Sequence, residues 1–476
     1  MSTADANFSS SRYNFVVPVE EGCLLYNSFS GAVLLLNGPD AVSVGELLAS
    51  QHRVVDIEGF PDNLLTDLFA GSFLVPASFD ELQAVRDRFW EARRETPLAL
   101  TLTTTLDCNL GCYYCYEDRS EARLDAASAA DVVSWARSRL LASQKKTLHV
   151  DWYGGEPLLN YEFIETASTL LQQLCRDLEV VYSASIISNG TCWPEDVGAF
   201  VQRHKIRQAQ ISFDGLRHHH NLRRHFRNKS EQASSFDLAV ALVDKLLDFV
   251  RVDVRINIDR KNEGDVLPFV EFAQSRGWFQ REFPAVIQPA RLSAYSETSA
   301  FMRKSELSVS EYDELRGAVR SKARGNFRVE ESEAPEGFPV PRSSVCAALA
   351  NDSVVVGADQ KLYRCGLQVS EPYRAVGVLN RESTGPFRII GQDDGLRAQQ
   401  TWWDEFDPTK LTSCSRCSFL PICWGGCPKK HLDEDQHALA EQGAYWRRNL
   451  ARLVVEGVGL QLEQPIELTQ ADQFRD

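Results

Sequence analysis

The residues best suited to chemistry lie in Thr103–Glu117, TTTLDCNLGCYYCYE, where Cys108, Cys112 and Cys115 stand in a C-x3-C-x2-C spacing. Three thiolates this close can hold three irons of a [4Fe–4S] cube and leave the fourth iron without a protein ligand. An open iron suits a reagent, whereas a structural zinc site closes with a fourth ligand. The next histidine is His149, so a zinc knuckle here would need a distant partner. Tyr114 precedes the third cysteine, and Gly154, Gly155, Glu156 and Pro157 form a GGEP run further on. Glycines let backbone approach closely, and a glutamate offers acceptors to an ammonium.

A second group comprises Cys346, Cys365, Cys414, Cys417, Cys423 and Cys427, the last four spaced C-x2-C-x5-C-x3-C. Nine of the twelve cysteines therefore fall into two groups, and with no export signal such clusters read as metal ligands in a reducing cytoplasm rather than as disulfides. A zinc ribbon made by the last four is the alternative for that segment. Cys23, Cys175 and Cys192 stand alone, and Cys175 ends a helix face as a core thiol does. The net charge of -15 argues against a nucleic-acid partner. No apolar run approaches the roughly 18 residues of a membrane span.

The elements that must position these residues follow a rhythm. Residues 1–11 are polar and expected to fray. Two strands joined by a turn around Glu20–Gly22 come next, then helices over 44–49 and 62–70, the short strand SFLVP, and a charged helix over 79–93. From Pro97 strand and helix alternate six times to about residue 290, implying an α/β fold with a parallel sheet curled toward an incomplete (β/α)6 barrel. Leu238, Leu242, Leu246 and Phe249 are expected to share one helix face. Ligand groups belong at the carboxyl ends of such strands, and the cysteine triplet, GGEP, SNGT and SFDG all fall there. A polar helix over 309–322 and an exposed connector ending in EAPEGFPVP follow. The run His218–His220 reads as solvent-facing. The locally basic stretch 201–230 reads as a solvated face, with docking of an acidic peptide as the alternative.

Over about residues 98–290 the triplet, Tyr114 and GGEP together resemble the radical S-adenosylmethionine (SAM) superfamily. That resemblance implies that Cys108, Cys112 and Cys115 bind a [4Fe–4S] cluster whose open iron takes the amino and carboxylate groups of SAM. It implies that GGEP receives the methionine amine, and that Ser188 and Asn189 of ISNGT bond the ribose or carboxylate. ISFDGLRHHHNLRR resembles the family's Asp-Gly then His-Asp-x-x-Arg pattern on Asp214, Gly215, His220, Asn221 and Arg224. Arg224 would then pair with the SAM carboxylate, and Asn221 replaces the usual Asp as a loop organiser.

The second cysteine group resembles the SPASM extension of radical SAM peptide maturases, which implies two auxiliary iron–sulfur clusters. Cys346, Cys365 and Cys427 would serve the first, and Cys414, Cys417 and Cys423 the second. Two positions depart from that pattern: Gln360 stands where Gly is usual, and Tyr445 stands near the place of a missing last cysteine. The missing ligand would come from His431, Asp433, Asp435 or His437, or that iron would be open. Residues 1–96 resemble a winged-helix peptide-recognition module, 97–290 the barrel, 291–340 a connector, and 341–476 the SPASM-like domain with a terminal helix. The expectation is a cytoplasmic oxidoreductase acting on a ribosomally made precursor peptide, supplied with electrons by a flavodoxin or ferredoxin. An intrapeptide thioether or carbon–carbon crosslink is the expected product. Fragment excision, epimerisation and formylglycine formation are the alternative reactions, and a metal-stabilised peptide-binding scaffold is the non-catalytic alternative.

Overall fold

The structure is a computed structural model that describes residues 7–20, 22–38, 41–49, 54–230, 233–294, 297–323, 325–326, 338–379, 394–462, 464 and 466–468. The tip of the turn at residue 21 and connector residues 327–337 lie outside them. The chain divides into two compact units. One joins residues 1–95, 329–346 and 406–476, and the other joins 96–328 and 347–405.

The first unit opens with β1 (Phe8–Ser10), β2 (Asn14–Val19), β3 (Gly22–Asn27) and β4 (Val33–Asn37). There follow α1 (Ala41–Ala49), β5 (Val54–Val55), α2 (Asp62–Ala70), β6 (Leu74–Pro76) and α3 (Glu81–Arg94). Residues 8–10 are not frayed as expected: β1 lies between β5 and β6, and Phe8 packs on Phe69 with ring centroids 4.7 Å apart. The antiparallel β2–β3–β4 sheet is apolar on both faces. Cys23, Leu25 and Leu36 pack on Leu48, Leu68 and Phe73. Phe15, Val17, Leu24 and Tyr26 pack on Phe419, Ile422, Trp446 and Leu450 from the far end of the chain.

The second unit holds the barrel. Its elements are β7 (Leu98–Thr103), α4 (Ala126–Ser143), β8 (Thr147–Tyr153), α5 (Tyr161–Asp177), β9 (Val181–Ser188) and α6 (Val197–Arg203), followed by β10 (Ile206–Phe213), α7 (Arg217–Arg223), α8 (Ser235–Leu246), β11 (Arg251–Ile258), α9 (Val266–Ser275), β12 (Val286–Arg291) and α10 (Val309–Ala323). β7 to β12 lie side by side in chain order and all parallel, the arrangement that right-handed βαβ crossovers build. Beyond β7 the sheet continues with β13 (Ser353–Val356), which is parallel to β7, and with antiparallel β14 (Lys361–Tyr363) and β15 (Gly377–Val378). The unit ends with α11 (Asp394–Glu405).

The α8 face differs from the expected one. Ser235, Phe236, Ala239, Val240, Leu242, Val243 and Leu246 are its buried positions, while Leu238 is exposed, as is Phe249 beyond the helix end. Ser234 caps the helix by accepting from Asp237 N, and of the expected series Leu242 and Leu246 are buried. The chain then returns to the first unit through α12 (Thr412–Ser415), α13 (Leu420–Cys423), α14 (Pro428–Leu432) and α15 (Gln436–Gly457). No helix among the described residues is long and apolar enough to cross a membrane.

Candidate active site

The cysteine loop begins where β7 ends, and backbone contacts hold it on two sides. Gly155 N donates to Thr105 O and Glu156 N to Asp107 O, each at 3.0 Å. A Cβ on Gly154 would collide with the Thr105 carbonyl and one on Gly155 with the Asp107 carbonyl, and Gly154 has φ +133°. The GG pair is therefore required by the approach of β8 to the loop itself. On the other side Gly111 N donates to His225 O at 2.8 Å and Arg227 N to Asn109 O at 2.9 Å. Arg227 also bonds Asp107 Oδ1 at 2.9 Å.

Cys108, Cys112, Cys115, Tyr114, Gly154, Gly155, Ser188, Asn189 and Arg224 all border one cavity of about 350 Å³. That volume lies within the usual range for small-molecule sites. Pro157 and Glu156 stand behind the wall. Glu156 is fully buried, and its carboxylate accepts from Ser188 Oγ at 3.0 Å, Asn189 N at 2.7 Å and Leu158 N at 3.3 Å. Burial pushes its acid up to about 7 against those hydrogen bonds. Its acceptors are thus spent on bracing the ends of β8 and β9 together. The side chain of Asn189 donates to Asn109 Oδ1 at 2.8 Å and lies 3.7 Å from Cys108 Sγ.

Beneath the cysteines lies a buried charged network. Tyr114 OH donates to Asp214 Oδ1 at 2.6 Å and accepts from Arg224 at 2.8 Å. Arg223 bonds Asp214 at 2.7 Å and Asp259 at 2.8 Å. Two carboxylates and two guanidiniums balance, as burial demands. Arg223 and Asp259 were not singled out from sequence, and this network also takes up part of the basic stretch that read as a solvated face. Asn221 organises the loop as expected, its Oδ1 accepting from Phe236 N at 3.0 Å.

His220 corrects the reading of its run as solvent-facing. It is fully buried between Phe213 and Phe236, and neither ring nitrogen has a partner among the described residues. Burial lowers its pKa well below the ordinary histidine value. The lumen faces of β10 and β11 were also missed. Gln210, Ser212, Arg255 and Asn257 border the cavity, and their signal was a polar alternation in strands that an α/β barrel normally makes almost wholly apolar.

The donor set fits an iron–sulfur cluster with a small zwitterionic molecule beside it. Burial pushes the Cys108 thiol up to about 12, the Cys115 thiol up to about 11, and the Cys112 thiol upward. Thiols in such surroundings ionise against a compensating metal charge. Arg224 faces the same cavity with a buried Nε that has no partner among the described residues, a donor suited to a carboxylate.

Residues 102–273 match the radical SAM superfamily. The chain holds a radical SAM domain. This superfamily is a class of enzymes that work with a [4Fe–4S] cluster and SAM. The probable GTP 3′,8-cyclase of Saccharolobus islandicus is 23% identical over 180 residues, 37% of this chain and 53% of that protein. The corresponding protein of Methanothermobacter thermautotrophicus is 29% identical over 119 residues, 25% of this chain and 36% of that protein. The chain thus spans about half, or less, of the length of these relatives. Among solved structures, anSMEcpe with bound AdoMet and the Cp18Cys peptide has a TM-score of 0.54 at 19% identity, covering 77% of this chain and all of that one. The shared feature is the fold of the radical SAM domain and its surroundings.

The other cysteines are distributed between the units. Cys414, Cys417, Cys423, Cys427 and Cys346 belong to the first unit, and Cys365 follows β14 in the second. Burial pushes the Cys423 thiol up to about 12, with Cys417 and Cys414 close enough to add to the rise. Between Cys423 and Cys427 the residues Trp424, Gly425 and Gly426 all have positive φ, a left-handed turn that brings the chain back on itself. Of the candidate replacement ligands, His431 contacts Gly425 O at 2.8 Å, Asp433 pairs with Lys429 at 2.5 Å and Asp435 with Lys430 at 3.0 Å. His437 is exposed.

Proposed function

We propose that this chain is a radical SAM peptide maturase that abstracts a hydrogen atom from a ribosomally made precursor peptide and installs an intrapeptide crosslink, thioether or carbon–carbon. The observation that carries the reading is the meeting of Cys108, Cys112, Cys115 and Arg224 at one cavity at the mouth of a six-stranded parallel barrel. When bound, a [4Fe–4S] cluster and SAM supply a 5′-deoxyadenosyl radical able to attack an unactivated carbon. The three thiolates would hold the cluster. Arg224 would orient the SAM carboxylate, with Tyr114 fixing its guanidinium. Gly154, Gly155, Ser188 and Asn189 would shape the wall around the amine and ribose, and Glu156 and Pro157 would hold that wall in place. Keeping such a reactive species away from water protects it from side reactions.

A crosslink removes two hydrogen atoms from the peptide, one more than a single abstraction accounts for. The six cysteines of the second group would hold two auxiliary iron–sulfur clusters suited to taking the second electron as the second hydrogen leaves as a proton. Residues 1–96 would bind the leader by lending it a sheet edge. The peptide in the anSMEcpe structure supports a peptide as the substrate class here. The setting of this reading is the cytoplasm, with a flavodoxin or ferredoxin as electron donor.

Anaerobic reconstitution tests the reading. At four irons per cluster, about twelve irons per chain, falling to about eight when Cys108, Cys112 and Cys115 are replaced, is the expected result. Cys108→Ala should abolish reductive cleavage of SAM while the chain stays soluble. Cleavage that persists in that variant would sink the assignment. About four irons and one zinc would make the carboxyl-terminal cysteines a ribbon and favour a redox-neutral reaction.

A further inference from the structure

The barrel lumen carries more polarity than cofactor binding uses. Ser212, Arg255 and Gln288 are register partners across β10, β11 and β12, so they point to the same face. Arg255 and Ser212 border the cavity shared with the three cysteines, as does Gln210 one same-face position earlier on β10. Arg255 is partly buried, and its Nε donates to Asn257 Oδ1 at 3.0 Å. That bond aims the guanidinium and leaves its terminal amino groups available.

Of the nearby carboxylates, Glu117 is buried on the cavity wall with an Oε1 that has no partner among the described residues, and three others are engaged. Asp253 is held by Arg251 at 3.0 Å and by Gln208 at 2.7 Å. Asp214 and Asp259 belong to the Arg223 network. Gln288 Oε1 is buried without a partner among the described residues. Of the other two arginines on the cavity, Arg224 is committed at the cysteine end through Tyr114, and Arg119 donates to Cys112 O at 2.6 Å. Arg255 lies one same-face step further from the strand ends than Asn257, which itself reaches Tyr114 at 3.4 Å. A half-dry guanidinium fork flanked by hydroxyl and amide groups matches a carboxylate.

We propose that Arg255 selects the substrate by seating a carboxylate of the peptide, an Asp or Glu side chain or a chain-terminal carboxylate, beside the carbon to be attacked. Ser212 and Gln210 supply neutral hydrogen bonds to it. This rests on the peptide reading above.

The test uses the iron-loaded full chain with SAM, against a displayed library of random peptides. Wild type should enrich Asp or Glu at one position by on the order of tenfold or more, the discrimination expected of an arginine–carboxylate pair. Arg255→Glu should turn that preference to Lys or Arg, which a purely structural role would not do. Arg255→Met should erase it, and this variant decides the matter if Arg255→Glu fails to retain iron. The same acidic preference in either folded variant overturns the assignment. Loss of SAM binding in both variants gives the anion site to the cofactor and likewise overturns it. If wild type retains no peptide at all, the peptide reading itself falls, and this proposal with it.

Discussion

The two cysteine groups are held by different kinds of structure. Cys108, Cys112 and Cys115 sit on a loop fixed by main-chain bonds to two neighbours, the β8 end at Gly155 and Glu156 and the segment after α7 at His225 and Arg227. Cys414, Cys417, Cys423 and Cys427 are placed by short turns of their own chain, such as Cys417 N to Cys414 O at 3.0 Å, with Gln442 of α15 accepting from Cys427 N at 3.0 Å. The first arrangement is a property of the parallel sheet and cannot form before its strands pair. The second is largely local and is finished by one side chain from a long helix. A fixed loop gives the geometry that an open iron needs, whereas turns suffice where ligands need only surround a group.

The largest effect should come from breaking the charged network beneath the first group. Arg223→Met leaves Asp259 without a guanidinium in a dry interior and Asp214 with only Tyr114 and the longer Arg224 contact at 3.6 Å, and should cost about 3–5 kcal/mol, read as a lower denaturant midpoint. A loss within 1 kcal/mol would mean that water reaches those carboxylates. The glycines then compare the two groups directly. Gly155→Ala drives a Cβ into the Asp107 carbonyl, and overpacking against backbone should cost about 3 kcal/mol. Gly426→Ala meets only the Gln442 side chain, which can move by giving up its bond from Cys427 N, leaving roughly 1–2 kcal/mol for the lost bond and the left-handed φ of +77°. Equal losses for the two would erase the distinction between a sheet-held and a turn-held site.

A pH effect is specific to the barrel. The unfolded chain protonates His220 near pH 6.5, whereas in the folded state its pKa lies well below that. Stability from this residue is therefore complete above pH 6.5 and falls on acidification, by up to about 1.4 kcal/mol per pH unit. His220→Phe should flatten that part of the stability curve, and curves that run parallel to wild type would refute the buried neutral histidine. The smallest effect is expected at Gln360, which holds φ +63° in the turn between β13 and β14. Gln360→Gly should stabilise by about 0.5 kcal/mol, relief of the left-handed strain being partly offset by the entropy of glycine. A destabilised variant would show that the side chain has contacts worth more than the strain.

Much of the site was legible because the chemistry is written in residue types at fixed short spacing. A C-x3-C-x2-C after an extended run can only be a loop, and strand–helix alternation puts such loops at one end of a parallel sheet. The polar partners of that loop were less legible, since Arg223, Asp259 and Arg255 are separated in sequence and gain meaning only when strands pair in register. Glu156 shows the limit most clearly. Its type suggested an ammonium acceptor, but the structure spends its carboxylate on Ser188, Asn189 and Leu158.

By itself the sequence determined the six parallel strands, the cysteine triplet at their mouth and the glycine pair that follows, because periodicity and backbone sterics act over a few residues. Only the tertiary structure decided that the first ninety-five residues fold in one unit with the carboxyl-terminal cysteine segment. Their β2–β3–β4 sheet is apolar on both faces and needs a second cover, which Phe419, Ile422 and α15 provide. Burial of that second face is a long-range event, and no local pattern in the chain names the partner that supplies it.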